Sequence, residues 1–133
     1  MKILVVDDEQ AVRDVCAAIL ARHDFIPILA QNGSQALELY QEMSSEIALT
    51  LSDIAMPIMG GLELARNIFE LQPKSKVILM TGFSPEDIAP EDLKALCAVL
   101  EKPFSQSQLI TAVKKCLQCE NQQFPELANL NTR

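Results

Sequence analysis

Short apolar runs alternate along this chain with stretches whose apolar positions recur every three to four residues. Ile3–Val6, Ala48–Leu51, Val77–Met80 and Ala98–Leu100 are each bounded by polar or turn-forming residues, the signature of buried strands. Phe25–Ala30 reads as a further short strand, and Pro27 within it predicts a place at the sheet's edge, because proline cannot donate to a ladder. Between the runs the period changes. Val12, Val15, Cys16, Ile19 and Leu20 form one helical stripe; Ala36, Leu39, Tyr40 and Met43 form a second. Leu62, Ala65, Ile68 and Phe69 form a third, opening after Gly60-Gly61 and stopping before Pro73. A fourth helix is expected to start at Ser84, with Pro85, Glu86 and Asp87 in its first turn, and to be short, kinked or mobile because Pro90 interrupts it. The fifth starts at Ser105, with Gln108 as its capping-box partner, and buries Leu109, Ile110, Val113, Cys116 and Leu117. Strands alternating with helices predict repeated βα units around a parallel sheet, an α/β fold of five units.

That pattern covers residues 1–119. Residues 120–133 are polar and aperiodic and are expected to be a C-terminal tail or linker stub. At 133 residues and 49% hydrophobic content the chain suits one domain with a real core. The net charge of -7 argues against direct nucleic-acid binding and against an anionic membrane surface, leaving proteins as the expected partners. The four apolar residues after Lys2 are too few for a signal peptide or a membrane span, so a cytoplasmic location is expected. Cys16, Cys97, Cys116 and Cys119, with His23 as the only histidine, do not make a zinc site. They read as reduced, buried or half-buried thiols.

The chemistry collects where the apolar runs end. Asp7 and Asp8 follow the first run, Asp53 the second, Thr81 the third and Lys102 the fourth. If those runs are parallel strands, three acids, a hydroxyl and an ammonium converge at one sheet edge, the place where open α/β sheets bind ligands. Three adjacent carboxylates repel one another unless a divalent cation neutralises them, which makes Mg²⁺ or Mn²⁺ part of the expectation. Read in isolation, Asp7-Asp8 would more often begin a helix, and Asp8 is also a candidate helix cap.

In order along the chain, Val5-Val6-Asp7-Asp8-Glu9, Ser52-Asp53-Ile54-Ala55-Met56-Pro57-Ile58-Met59-Gly60-Gly61, Met80-Thr81-Gly82 and Glu101-Lys102-Pro103-Phe104 resemble the motifs of a response-regulator receiver domain, the phospho-accepting module of two-component signalling. The resemblance implies a single doubly wound (βα)₅ domain, flavodoxin-like, with strand order 2-1-3-4-5. It makes Asp53 the phosphoacceptor, a carboxylate nucleophile toward a phosphohistidine or a small phosphodonor. Asp7, Asp8, Asp53 and the backbone carbonyl of Ala55 would hold the metal. Lys102 would pair with the phosphoryl oxygens, and Thr81 would be the switch hydroxyl. A cis Lys102-Pro103 bond is also implied. The implied partners are a histidine kinase or histidine phosphotransfer protein and an effector docking on the face of the fourth helix, fifth strand and fifth helix. Self-phosphorylation and autodephosphorylation would be the only chemistry, and a phosphorylation-linked dimer stays open.

Four positions depart from the family pattern. Val99 stands where an aromatic switch residue is usual, three positions before the lysine, so the usual aromatic flip does not transfer. Phe83 is bulky and Ala55 small at positions that tune dephosphorylation, and Gly60 replaces the usual acid or asparagine. Two other readings compete. An aspartyl-phosphate phosphatase should carry a general acid two residues after its nucleophile, where this chain has Ala55. A flavin carrier needs a phosphate-binding loop after its first strand, where Asp7-Asp8-Glu9 would repel phosphate. A pseudo-receiver acting by binding alone is a third alternative. The chain is either a stand-alone receiver or a piece of a larger protein such as a hybrid histidine kinase, and its Leu100–Phe104 ending and short tail favour the latter.

Overall fold

Strands and helices alternate as the hydrophobic pattern predicts. The computed structural model describes residues 1–84, 86 and 88–118. The elements are β1 (Lys2–Val6), α1 (Gln10–Arg22), β2 (Ile26–Ala30), α2 (Gly33–Met43), β3 (Ile47–Asp53), α3 (Gly61–Leu71), β4 (Val77–Thr81), α4 (Pro90–Ala95), β5 (Ala98–Glu101) and α5 (Gln106–Gln118). Every strand pairing is parallel and the sheet order is β2-β1-β3-β4-β5, which puts proline-bearing β2 at an edge. The expected tail at 120–133 lies outside the described residues.

Both faces of the sheet are covered, so the strands read as continuous apolar runs. Ile3, Val5, Leu49, Leu51, Ile78 and Met80 pack against Cys16, Ile19 and Leu20 of α1 and Leu109, Ile110 and Val113 of α5. On the opposite face, Leu4, Val6, Val77 and Leu79 meet Ala36 and Tyr40 of α2 and Leu64, Ala65 and Ile68 of α3. Leu93 and Leu96 of α4 and its flank pack against this second cluster. Because strand side chains alternate faces, one sheet serves both cores.

The pairing register brings the strand ends level. Val6 pairs with Ser52, Asp53 with Met80 and Thr81 with Glu101. The residues that close or follow β1, β3, β4 and β5 therefore emerge side by side at the C-terminal edge.

Several expectations need correction. Val15 does not join the core but is 57% exposed, because the buried arc of α1 is centred on Cys16, Ile19 and Leu20. Leu64, unassigned by the stripe, is fully buried on α3. The fourth helix does not begin at Ser84: α4 starts at Pro90, so that proline opens the helix rather than interrupting it. Proline suits a first helical position, where its missing N–H has no partner to lose, and Glu91 and Asp92 supply first-turn acids. Asp8 does not cap α1; the cap is Glu9, without a side-chain bond to the helix. The fifth helix starts as expected. Ser105 Oγ accepts from the Gln108 N–H at 3.0 Å, and Gln108 Oε1 accepts from the Ser105 N–H at 2.8 Å.

The cysteines also differ from expectation. Cys16 is a free, buried thiol, but Cys97 and Cys116 form a disulfide with Cα atoms 5.9 Å apart. Chain separation hid the pair, since α5 folds back along β5 and brings its last turns beside the start of that strand. Cys119 lies outside the described residues.

Candidate functional site

Each polar group at the sheet's C-terminal edge is delivered by a strand. Asp7 follows β1 directly and is fully buried. Its Oδ1 accepts the Glu9 N–H at 2.9 Å, and its backbone carbonyl accepts from Arg13 Nη1 at 2.6 Å. Asp8, one residue on, is exposed. Asp53 is the last residue of β3 and, at 7% exposed, keeps a small opening to solvent. Lys102 follows β5, held by its N–H donating to the Thr81 carbonyl at 2.7 Å. The Lys102-Pro103 bond is cis, as the family resemblance implied.

These placements bring the charges into contact. Lys102 Nζ lies 3.2 Å from Asp7 Oδ2 and 3.2 Å from Asp53 Oδ1. Asp7, Asp8 and Asp53 each offer an oxygen within 4.8 Å of the others. Burial pushes the Asp53 carboxyl above its usual range, and the negative charge of Asp7 pushes the same way; Lys102 opposes both without cancelling them. Burial pulls the Lys102 ammonium down, but the attraction of Asp53 and Asp7 outweighs it, and its pKa is raised. One ammonium thus faces three carboxylates. The surplus negative charge and the set of hard oxygen donors fit a divalent cation such as Mg²⁺ or Mn²⁺. Ala55 is exposed on the loop two residues beyond Asp53.

Thr81 ends β4 and is fully buried. Its hydroxyl accepts the Phe83 N–H at 3.1 Å, which ties it to the segment leading toward α4. A Cβ added at Gly82 would meet nothing within 4 Å, so the space beside Thr81 is open. Gly61 is the opposite case: a Cβ there would lie 2.4 Å from the Asp53 carbonyl oxygen. Only glycine lets the start of α3 pack that closely beneath Asp53.

Two features of the site escaped the sequence reading. Arg13 was not singled out, because a helix residue six positions after Asp7 gives no sign of reaching back to that carbonyl. Ile58, on the loop after Asp53, has φ of 73° and is 81% exposed. A β-branched residue in the left-handed region is strained, and no sequence pattern marks it. Cys16 is buried in the core beneath α1, its thiol pushed up to about 11 by burial and by Asp7.

Comparison with known proteins gives a consistent result. A family model described as the response regulator receiver domain matches residues 3–114. The chain is 35% identical over 121 residues to the response regulator receiver protein CpdR of Brucella abortus, covering 87% of this chain and 96% of that protein. It is also 35% identical over 119 residues to the sensor kinase CckA of the same organism, where the match covers 87% of this chain but spans only 12% of the kinase. Among solved structures, a receiver domain protein from Clostridium thermocellum superposes with a TM-score of 0.83 at 26% identity, covering 88% of this chain and 94% of that one. The response regulator TrrA of Thermotoga maritima, solved in complex with Mg²⁺-BeF, superposes with a TM-score of 0.77 at 32% identity, covering 86% and 97%.

Proposed function

The chain belongs to the response regulator receiver domain family, and from that premise we propose that it is a phosphorylation-controlled switch in which Asp53 accepts a phosphoryl group from a histidine kinase, a histidine phosphotransfer protein or a small phosphodonor. The observation that carries this reading is the Asp7–Asp8–Asp53 cluster with Lys102 3.2 Å from both Asp7 and Asp53, at the C-terminal edge of the sheet. An Asp53 oxygen attacks phosphorus, the bond from phosphorus to the donor breaks, and its electron pair leaves with the donor. Mg²⁺ or Mn²⁺, held by Asp7, Asp8, Asp53 and the Ala55 carbonyl, would supply the positive charge that keeps Asp53 ionised and offsets charge on the phosphoryl oxygens. Lys102 adds a fixed ammonium on the same side.

The switch in this reading starts at Thr81. Turning its hydroxyl toward a phosphoryl oxygen breaks the bond it accepts from the Phe83 N–H, which frees the segment between β4 and α4. With Val99 half-buried where an aromatic would relay the signal, the backbone of that segment carries the change to the α4–β5–α5 face, where an effector protein docks. Chemistry is confined to gaining and losing this phosphate, since Ala55 offers no acid for phosphatase turnover. The same role serves a stand-alone regulator or one domain of a sensor kinase. We place it in the cytoplasm. Among the described residues no helix is long and apolar enough to cross a membrane, which fits that placement.

Intact-mass spectrometry after incubation with acetyl phosphate tests the reading. The expected result is a gain of one phosphoryl group that requires Mg²⁺ and vanishes in Asp53→Ala. A folded wild type that binds Mg²⁺ but never gains the group, from acetyl phosphate or from a phosphorylated phosphotransfer protein, would overturn it in favour of signalling by binding alone.

A further inference from the structure

The far side of the domain carries a feature that phosphorylation does not use. Cys97 directly precedes β5 and Cys116 sits in the last turns of α5, 19 residues away, and the two are joined through a disulfide. Their Cα separation of 5.9 Å lies within the range a disulfide spans without backbone movement. Around this bond the backbone is already tethered. The Cys97 N–H donates to the Val77 carbonyl at 2.8 Å, and Lys76 Nζ donates to the Leu117 carbonyl at 3.3 Å. The crosslink therefore sits at the N-terminal end of β4 and β5, a strand length of roughly 13 Å from Thr81 and the acid pocket.

Exposure separates the three described cysteines. Cys97 is exposed, Cys116 is buried, and Cys16 is buried among the α1 core residues. A small thiol or disulfide can thus reach one sulfur of the Cys97–Cys116 pair and no part of Cys16. A buried partner behind an exposed sulfur is the arrangement of an exchanging pair, with one cysteine to receive the attack and one to resolve it.

We propose that Cys97 and Cys116 are a reversible thiol–disulfide modification site, whose closure by a low-molecular-weight disulfide such as glutathione disulfide pins the last turns of α5 to the start of β5. The Cys97 thiolate attacks one sulfur of the small disulfide, giving a mixed disulfide and releasing one small thiolate. The Cys116 thiolate then attacks the Cys97 sulfur, closing the protein bond and expelling the second small thiolate. Two protein thiols give up two protons and two electrons, and the small disulfide takes up both to leave as two thiols. Reduction runs the same steps backward, entering at the exposed Cys97 sulfur. Closure acts on the α4–β5–α5 side, so it adjusts the output surface from the end of the sheet opposite Asp53.

The full chain equilibrated in glutathione buffers from fully reduced to fully oxidised, then acid-quenched, alkylated and peptide-mapped, tests this. The expected product is a 97–116 crosslink that opens and closes across the series, with amide exchange in residues 113–118 slowing several-fold on closure. Cys97→Ser changes an exposed position and leaves the core intact; it should lose both the crosslink and the exchange change. A dominant Cys116–Cys119 link, an intermolecular link, a bond that stays closed in fully reduced buffer, or closure without an exchange change would each overturn the proposal.

Discussion

At the C-terminal edge of the sheet Asp7, Asp53 and Thr81 are buried together, while the α4–β5–α5 side offers a six-residue helix with no buried residue and a four-residue strand that is at most half-buried. The first region is rigidly placed and electrostatically uncomfortable, since Asp53 is raised above the usual carboxylate range by burial and by Asp7. In the second, α4 is the helix that lacks a buried residue and is the loosely held element. Strand ends fixed by a parallel ladder can hold like charges in place for chemistry, whereas a marginal helix on the flank can change position at low cost.

The largest effect should come from Lys102. Replacing it with alanine removes the one ammonium between Asp7 and Asp53, and we expect phosphoryl uptake from acetyl phosphate to slow by about 100-fold or more, measured as the rate of mass gain. Uptake at the wild-type rate would mean that the edge does not depend on this charge.

Next comes the cost of Asp53 itself. Its folded pKa is raised, so ionising it penalises the folded state: the penalty is absent below its unfolded value and grows as pH rises through the folded one. The melting temperature in EDTA should therefore fall as pH climbs out of the acid range in wild type, and fall less in Asp53→Asn. Mg²⁺ should raise the wild-type melting temperature at neutral pH and have a smaller effect on that variant. A metal-free Asp53→Asn less stable than wild type would contradict the description of this edge.

Smaller effects probe the surroundings. Ile58→Gly relieves a left-handed backbone and should stabilise the fold by on the order of 1 kcal/mol in urea unfolding. Thr50 Oγ1 is buried on β3 without a hydrogen-bond partner, so Thr50→Val should also stabilise, by about 1 kcal/mol or less. On the other side, Arg66 of α3 grips Asp92 of α4 through two bonds, at 2.7 and 3.3 Å. Arg66 is exposed and Asp92 half-buried, so solvent screens the pair, and Arg66→Ala should barely move the global melting temperature yet speed amide exchange in α4 selectively. Equal acceleration in β4 would show that α4 is not the weaker partner.

The same contrast explains what the sequence disclosed. The strands were legible because both sheet faces are buried, which turns each strand into an unbroken apolar run such as Ile3–Val6 or Val77–Met80. Residues ending those runs were then legible as a cluster, since parallel register aligns strand ends. α4 was misplaced because Ser84-Pro85-Glu86-Asp87 and Pro90-Glu91-Asp92 are both good helix starts, and packing of Leu93 and Leu96 on the core selected the second. Arg13 and the Cys97–Cys116 pair were hidden because both depend on how a helix lies across a strand, which local pattern does not encode. Ile58 was hidden for another reason: its loop conformation opposes its own propensity.

In the proposed function Asp53, rather than any neighbouring acid, takes the phosphoryl group. The direct test is to phosphorylate the full chain with acetyl phosphate and Mg²⁺, trap the acyl phosphate by borohydride reduction, and locate the reduced side chain by peptide sequencing in a mass spectrometer. The expected result is reduction at position 53 alone, with Asp7 and Asp8 unchanged. Label at Asp7 or Asp8, or a phosphoryl group resistant to hydride, would contradict it.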